Sequence, residues 1–357
     1  MKTFLSSFAI GVVGYLCLGL FNTAGDLEVS ASVSIHATAD FYDPLAANGA
    51  WVEVGSYGRC WRPAHVAAEW RPYCYGHWVW TDCGWYWVSD EPWAWACYHY
   101  GRWCKVRTGC GWAWVPGKVW GASWVSWRRG RGASSSSIGW APLPPEASCE
   151  LNVGISTWVD RTCDIGPDYY TFVNIRDFGS DSYWGCGCIY ERSRNVTLIV
   201  DTFNCTNIYY NRNVIYCGGP DFNWCNTEIR RLGGREVGKI YVNRYTDPGR
   251  FKGGKFARQE GNQLALLSPR IRGDRNPKHT PRIAESLGSD KIDKGWGSVK
   301  DKNAEKQLRN HIAEESKGKD ASTAKATLSP DVAQKLGRHH GAQAGGHRPG
   351  PRRQPDE

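Results

Sequence analysis

The sequence predicts a mainly β protein, and three observations support this fold class. Tryptophan and tyrosine are abundant, with 20 Trp and 17 Tyr in 357 residues against a single Met. Aromatic and β-branched residues alternate with period two, as in strands whose successive side chains point to opposite faces. The aromatic runs also recur at a nearly constant interval. We therefore expect repeated Trp-rich β-hairpins that form a small antiparallel module, followed by a second β-rich region and a disordered basic tail with one helix.

Three segments align as internal repeats, at 48–63, 75–90 and 100–117. Each segment has two runs of alternating aromatic residues with a glycine-containing turn between them, which is the pattern of a β-hairpin. The first run begins with Gly-x-Trp in each repeat, and a second glycine and a second tryptophan follow. The corresponding positions are Gly49, Gly76 and Gly101; Trp51, Trp78 and Trp103; Gly58, Gly84 and Gly111; and Trp61, Trp87 and Trp114.

These patterns divide the chain into three parts after its N-terminus. We place the repeat domain at 41–147, where prolines end regular structure, and expect one more strand within 119–130. The second β-rich domain covers 150–271, in which short β-branched and aromatic runs alternate with Asn and Gly. Residues 272–357 are polar, charged and punctuated by Gly and Pro, so we expect a largely disordered tail. One amphipathic helix is expected in it, at about 299–315.

Residues 1–25 have the pattern of a secretory signal peptide. Lys2 supplies a short positive region, and an uncharged, mostly apolar stretch follows it up to Phe21. Cleavage is expected near residue 25 or as late as Ala39. An uncleaved anchor is the alternative, because the stretch is nearly long enough to span a membrane. The sequence therefore predicts a secreted or periplasmic protein of the cell envelope.

Positive charge is concentrated at the C-terminal end of the chain. Residues 231–357 carry 27 Lys and Arg against 15 Asp and Glu, and the whole chain has a formal net charge of +9. A basic tail favours an anionic partner, and an anionic envelope polymer suits an exported chain. We expect no nucleic-acid partner outside the cell. The alternative is a tail that is simply solvated.

Cysteine usage also fits an oxidising compartment. Thirteen of the 14 Cys follow the predicted signal peptide, and no Cys lies in the basic tail. Dense cysteines in an exported chain favour disulfides. Because the number is odd, at least one thiol stays free or forms an intermolecular bridge, and the sequence does not reveal the pairing.

Long aromatic runs such as "NGAWVEV", "YGHWVWTDCGWYWVSDEPWAWACYHYGRW" and "GWAWVPGKVWGASWVSW" are followed in the second region by "CDIGPDYYTFVNIRDFG". These runs resemble a family of secreted, Trp/Tyr-rich bacterial proteins of unknown function with YxWGxW-like repeats. The resemblance covers about 41–269 and implies export and a repeat-built β module, with no known activity and no catalytic residues. Cys60, Cys83, Cys97 and Cys104 depart from the family pattern, so buried small apolar side chains are an alternative to disulfides there.

The aromatic residues of the second and third repeats are the candidate binding residues. Indole and phenol rings are large, rigid and amphipathic, which suits stacking on sugars, peptides or lipid interfaces. Sixteen Trp lie between Trp51 and Trp140, which is more than a module of that size encloses comfortably, so we expect some to be exposed. The alternative is that most of them form the core. The candidate contact residues are Trp78, Trp80, Trp85, Trp87, Trp103, Trp112, Trp114, Tyr75 and Tyr100.

Three carboxylates, those of Asp82, Asp90 and Glu91, lie between the aromatic strands. Two carboxylates in an aromatic cleft would suit glycoside hydrolysis. The local sequence also fits two turns, Asp82-Cys83-Gly84 and Asp90-Glu91-Pro92, in which these residues have no catalytic role. An envelope polysaccharide hydrolase therefore remains an alternative function.

Metal sites and nucleophilic catalysis have little support. Cys and His are close in sequence at 74–83 and 97–104, and Cys186 and Cys188 form a third group, but no matched pair of Cys-x-x-Cys motifs is present. No serine-nucleophile motif is found. We expect no metal, no cofactor and no enzyme activity.

Together these features predict a non-catalytic, exported binding or structural protein of the cell envelope. Its Trp-rich repeats would contact cell-wall polysaccharide, peptidoglycan or an envelope protein, and its tail would bind an anionic polymer. Besides the hydrolase, an assembly component cross-linked through disulfides is a further alternative.

Overall fold

The chain folds mainly into β-strands, as the aromatic alternation predicts. In a computed structural model, the described residues form seventeen strands in three sheets, together with six helices and several short 3₁₀ turns. The predicted signal peptide and the tail beyond residue 317 lie outside the described residues. The structure describes residues 39–131, 136–150, 154–183, 185–211, 214–247, 251, 256–271 and 280–317.

The strands and helices have the following bounds. The strands are β1 (Gly49–Val54), β2 (Gly58–Pro63), β3 (His77–Thr81), β4 (Gly84–Val88), β5 (Arg102–Val106), β6 (Trp112–Val115), β7 (Val125–Gly130), β8 (Ser137–Pro142), β9 (Thr171–Asn174), β10 (Thr202–Asn204), β11 (Asn207–Asn211), β12 (Val214–Gly218), β13 (Lys239–Tyr245), β14 (Ala257–Glu260), β15 (Gln263–Leu267), β16 (Ile283–Leu287) and β17 (Ile292–Asp293). The helices are α1 (Ala39–Ala46), α2 (Ala94–Cys97), α3 (Val159–Thr162), α4 (Asn195–Asp201), α5 (Phe222–Arg231) and α6 (Lys302–Glu315).

Each predicted repeat forms one antiparallel hairpin: β1–β2, β3–β4 and β5–β6. The run at 119–130 contributes β7, which pairs with β8 as a fourth hairpin. In every hairpin two tryptophans face each other directly across the strands, where side chains of neighbouring strands make their closest contacts. These cross-strand pairs are Trp51 with Trp61, Trp78 with Trp87, Trp103 with Trp114 and Trp127 with Trp140.

The close approach of the partner strand explains why glycine recurs at these positions of the repeats. Gly101 has a φ of +68°, and a Cβ atom there would lie 2.1 Å from the carbonyl oxygen of Val115. At Gly76 the same atom would lie 2.0 Å from the Val88 carbonyl oxygen. Only glycine fits these positions without displacing backbone, so the Gly-x-Trp spacing reflects how closely the two strands of each hairpin approach.

The hairpins are shared among three sheets and do not form one separate module. The first sheet has the order β16-β1-β2-β6-β5-β17 and joins the first and third hairpins. The second sheet, β10-β7-β8-β9, contains the fourth hairpin. The third sheet, β11-β12-β4-β3-β13-β15-β14, contains the second hairpin at its centre.

Strands from the second β-rich region complete two of these sheets. β12 and β13 pair in parallel with the two strands of the second hairpin, and β9 and β10 flank the fourth. Hydrogen-bonded sheets thus cross the predicted boundary at about residue 150. Local sequence patterns do not indicate such long-range strand pairing.

Residues 280–317 also belong to the folded part of the chain. The helix predicted at 299–315 is present as α6, and β16 pairs in parallel with β1. The expectation of a largely disordered tail therefore does not hold for this segment. The segment is ordered because α6 is buried: Leu308 and Ile312 belong to the main hydrophobic core, and Glu315 is 2% exposed.

The core where the sheets meet is aromatic. The ring of Trp78 lies with its centroid 4.9 Å from that of Trp87 and 4.5 Å from that of Trp127 in the fourth hairpin. Trp61 of the first hairpin lies 5.5 Å from Trp93. These separations fall in the range where tilted and edge-to-face rings attract each other. Tryptophan thus takes the place that Leu, Ile and Val occupy in most cores.

Candidate functional site

The structure buries seven of the nine predicted contact residues. Their burial agrees with the alternative that most of these aromatic residues form the core. A ring in the core cannot stack on an external polymer. Trp80 and Tyr75 are the two that remain partly exposed. The buried residues are Trp78, Trp85, Trp87, Trp103, Trp112, Trp114 and Tyr100.

The physical reason is the size of the enclosing structure. The sequence suggested that sixteen Trp exceed what the repeats alone enclose, but the core is also covered by the second region and by residues 280–317. Phe178 and Tyr183 of the second region, for example, pack on Trp85 and Trp140. Fifteen of the sixteen Trp between Trp51 and Trp140 are consequently buried, and Trp80 is the exception.

Trp80 belongs to a row of four adjacent, partly exposed rings, which we call the aromatic strip: Tyr209, Tyr216, Trp80 and Phe222. The centroid of Trp80 lies 5.4 Å from that of Phe222, with nearly parallel rings, and 6.3 Å from that of Tyr216. Tyr216 lies 5.2 Å from Tyr209. Tyr209 is 39% exposed, whereas its three neighbours are half-buried. The strip is therefore a row of neighbouring aromatic side chains, each of which is partly accessible to solvent.

Three elements bring these rings together. Trp80 is near the turn of the β3–β4 hairpin, and Tyr209 and Tyr216 face each other across the β11–β12 hairpin. β12 lies beside β4 in the third sheet. Phe222 is the first residue of α5. Trp85, which is paired with Trp80 across the β3–β4 hairpin, donates its indole N–H to the carbonyl oxygen of Pro220, two residues before that helix.

Polar side chains surround the strip. Asp221 caps α5, accepting from the backbone N–H of Trp224, and its side chain is exposed. Asn207 and Asn211 are exposed at the ends of β11, and Lys239 of β13 lies beside Trp80 in the sheet. The arrangement is an apolar row with hydrogen-bonding groups at its border, which is typical of surfaces that bind amphipathic ligands.

Sequence reasoning missed three of the four strip residues. The run "NCTNIYYNRNVIY" contains Tyr209 and Tyr216 and lies in the region 150–271, whose short β-branched and aromatic runs predict strands. Its position beside the second repeat depends on the parallel pairing of β12 with β4, which joins Cys217 to Gly84. No periodicity indicates that pairing, so the sequence offered no signal for the strip.

The three candidate carboxylates do not come together, which corrects the idea of a paired acid site that includes Asp82. Asp82 lies in the β3–β4 turn and accepts the backbone N–H of Val242 at 3.1 Å. Asp90 and Glu91 follow the opposite end of β4. Five strand residues separate the two ends, or about 15 Å at the rise of a β-strand.

Glu91 lies at the edge of a cleft. Its carboxylate accepts hydrogen bonds from the indole of Trp70 at 2.7 Å, from Ser89 at 3.2 Å and from the hydroxyl of Tyr98. Burial raises the pKa of Glu91 to about 7, against the opposing effect of these donors. A carboxyl group with this pKa is partly protonated near neutral pH.

The cleft beside Glu91 has a volume of about 380 Å³. Tyr75, His77, Asp90 and Asp181 are among the residues that line it. Burial lowers the pKa of His77, although Asp181 acts in the opposite direction. Asp181 itself is paired with Arg235, so the cleft is polar and partly charge-compensated.

Eleven described cysteines are free thiols, and one disulfide joins Cys186 to Cys188. The structure therefore forms fewer disulfides than the cysteine content suggested. Cys60, Cys83, Cys97 and Cys104 are all buried, in agreement with the alternative that they act as small apolar side chains. Burial raises the pKa of Cys217 to about 12, which keeps such a thiol protonated and unreactive.

Neither a metal site nor a membrane span is found in the part of the chain that the structure describes. There, no group of three or more His, Cys, Asp or Glu side chains could hold a metal ion. In the same residues, no helix is long and apolar enough to cross a bilayer.

Comparison with known proteins gives one match. The model of a family described as "Family of unknown function (DUF6600)" matches residues 42–147, which contain all four hairpins. No curated protein and no solved structure matches the chain. Trp80 lies within the matched segment, whereas Tyr209, Tyr216 and Phe222 lie beyond it.

Proposed function

We propose that this chain is a non-catalytic, exported binding protein of the cell envelope whose aromatic strip contacts a polysaccharide. The observation that carries the proposal is the placement of Trp80. Fifteen of sixteen Trp in the hairpin region are enclosed, and Trp80 instead lies at the surface in a row with three other partly exposed rings.

The chemistry of the strip favours a neutral polysaccharide over a lipid surface. Sugar rings have apolar C–H faces that stack on aromatic rings, and their hydroxyl groups need hydrogen-bond partners at the border. Asp221, Asn207 and Asn211 can supply these partners. Asp221 and Lys239 carry opposite charges at the border, so the strip has no excess of positive charge that would attract an anionic bilayer.

Export and attachment complete the proposal. The signal-like N-terminus would direct the chain to the envelope, as in the secreted, Trp-rich bacterial family that the repeats resemble. The basic residues beyond 317 would hold it to an anionic polymer. Cell fractionation and N-terminal sequencing of the mature chain test export, and release of the chain by salt tests the electrostatic attachment.

Binding is tested by sedimenting the full chain with insoluble cell-wall polysaccharide and measuring the unbound protein. We expect Tyr209→Ala to weaken binding about 2- to 10-fold, because one aromatic contact is worth about 0.5–1.5 kcal/mol. The matched control is Tyr57→Ala, which removes a partly exposed tyrosine from the turn between β1 and β2 in another sheet.

Equal affinities for both variants and the unchanged chain would contradict the role of the strip. The absence of sedimentation with any polysaccharide, in a chain with unchanged circular dichroism, would contradict the proposal as a whole. Binding that is lost in both variants would place the contact elsewhere.

A second candidate function, envelope polysaccharide hydrolysis, is favoured by one observation. Glu91 has a pKa of about 7 at the edge of a cleft, as a general acid requires. Asp90 lines the same cleft and is the remaining candidate for the second carboxylate. Release of reducing sugar by the unchanged chain and its loss in Glu91→Gln would support this function. No release from any wall polymer would exclude it for those polymers.

A further inference from the structure

The disulfide between Cys186 and Cys188 lies at the surface, unlike most cysteines of the chain. Cys186 is exposed and Cys188 is half-buried. A Cβ atom built on either neighbouring glycine, Gly185 or Gly187, would meet no atom of the described residues within 4 Å, apart from its own chain neighbours. Attack on a disulfide requires a thiolate to approach one sulfur along the S–S axis, so this open surrounding makes the bond accessible.

A structural role explains this disulfide poorly. A cross-link stabilises a fold mainly by restricting the unfolded chain, and its effect grows with the length of the loop that it closes. Here a single residue, Gly187, lies between the two cysteines. The bond therefore joins two residues that the chain already holds close together.

The loop is held on both sides by contacts that do not involve the disulfide. On one side Tyr183 is buried in the aromatic core, and its hydroxyl donates to the carbonyl oxygen of Phe178 at 2.6 Å. On the other side Ile189 forms a β-bridge with Val173, and the N–H of Tyr190 donates to Phe172. Opening the disulfide would therefore leave the surrounding fold in place.

We propose that Cys186 and Cys188 form a thiol–disulfide exchange site for exposed dithiols of proteins or peptides. A thiolate of the dithiol attacks the sulfur of Cys186, and the S–S bond breaks with Cys188 leaving as a thiolate. The second thiolate of the dithiol then attacks its partner sulfur in the mixed disulfide and releases Cys186. The dithiol is oxidised by two electrons to a disulfide, and the two cysteines are reduced and take up its two protons.

The backbone supports this assignment of roles. The N–H of Cys188 donates to the sulfur of Cys186 at 3.3 Å, and the same hydrogen bond would stabilise the Cys186 thiolate when it is released. A more stable thiolate is a better leaving group in the second step. The first attack falls on Cys186 because Cys186 is exposed whereas Cys188 is half-buried, so Cys186 forms the mixed disulfide and Cys188 is the resolving residue.

The test incubates the full, oxidised chain with a short peptide that contains two thiols. Acid stops the reaction, an alkylating reagent labels free thiols, and mass spectrometry locates the label. We expect one peptide disulfide per chain and two new labels, on Cys186 and Cys188. Persistence of the Cys186–Cys188 bond in the folded chain, or two free thiols there after purification under oxidising conditions, would overturn the proposal.

Single variants assign the roles. With the symmetric disulfide of a one-thiol peptide as the probe, Cys188→Ser should accumulate the mixed disulfide on Cys186, because the resolving thiol is missing and the released peptide carries no second thiol. Cys186→Ser should form it at least tenfold more slowly. Cys110→Ser is the matched control. Because this variant keeps both Cys186 and Cys188, its rate of thiol–disulfide exchange should equal that of the unchanged chain. Equal trapping by the two variants would contradict the assignment.

The double variant Cys186→Ser/Cys188→Ser separates exchange from a structural role. If the bond is not a structural cross-link, the melting temperature changes by less than about 2 °C. A larger fall would show that the bond stabilises the fold and would contradict the proposal. Polysaccharide binding by this variant should be unchanged, so the outcome is independent of the aromatic strip.

Discussion

At the scale of single residues, neighbouring tryptophans with the same sequence signature have different environments. Trp78 and Trp80 are two positions apart on β3 and point to the same face, yet Trp78 is 2% exposed and Trp80 is half-buried. The difference arises because Trp78 lies under the fourth hairpin, whereas Trp80 is one residue from the end of its strand. Alternation identified the face, but the covering elements determine which ring reaches solvent.

Glu91 leads to a prediction for the pH dependence of stability. Burial raises its pKa in the folded chain to about 7 from an ordinary value of 4.5. The folded chain thus holds a proton that the unfolded chain releases. The stabilisation from Glu91 is complete below pH 4.5 and is lost as the pH rises through 7. Relative to Glu91→Gln, the free energy of unfolding should fall by up to about 3 kcal/mol between pH 4.5 and pH 7.5.

Denaturant titrations of both proteins at the two pH values measure this difference. Comparison with the glutamine variant removes the contributions of the other titrating groups, which are common to both chains. A difference that is the same at pH 4.5 and pH 7.5 would contradict the raised pKa.

At the scale of elements, local patterns predicted the hairpins, and non-local contacts determined the rest. The three repeats and the helix at 299–315 follow from aromatic alternation and amphipathic spacing, and all are present. The parallel pairings of β12 with β4 and of β16 with β1 join residues more than 100 positions apart. The aromatic strip depends on one of these pairings, so local patterns do not predict it.

The crowding at the repeat glycines is testable with two substitutions of matched backbone conformation. Gly101 and Gly233 have φ angles of +68° and +70°. A Cβ atom at Gly101 would lie 2.1 Å from the Val115 carbonyl oxygen, whereas at Gly233 it would meet no atom within 4 Å among the described residues other than its chain neighbours. Gly233→Ala should cost about 1 kcal/mol of stability through backbone strain alone. Gly101→Ala should cost at least about 2 kcal/mol more, because backbone atoms must move. If chemical denaturation gives the two variants equal losses in the free energy of unfolding, this explanation is contradicted.

At the scale of the whole molecule, a buried ionic network attaches the C-terminal segment to the core. Arg128 of β7 is fully buried and pairs with Asp160 at 2.8 Å and with Glu315 of α6 at 2.7 Å. Burial would raise the pKa of Glu315, but the charge of Arg128 holds it below its usual value. The last described helix is thus joined to the fourth hairpin by charges that water does not screen.

Removal of one partner should therefore destabilise the whole fold. Glu315→Ala leaves part of the Arg128 charge uncompensated and should lower the free energy of unfolding by about 3–5 kcal/mol. Glu314→Ala is the matched control, because this neighbouring side chain on the same helix is 51% exposed, and it should cost less than about 0.5 kcal/mol. Similar losses for both variants, measured by urea unfolding, would show that the network does not contribute.

The tryptophans of the hairpins form the core, and we propose that Trp80 alone among them reaches the binding surface. Oxidation of the tryptophans in the folded chain, with and without cell-wall polysaccharide, followed by mass spectrometry of the modified residues, tests both statements. Trp80 should be oxidised first among the sixteen, and polysaccharide should protect it. Equal oxidation of Trp78, Trp87 and Trp80, or no protection of Trp80 when the polymer is bound, would contradict these expectations.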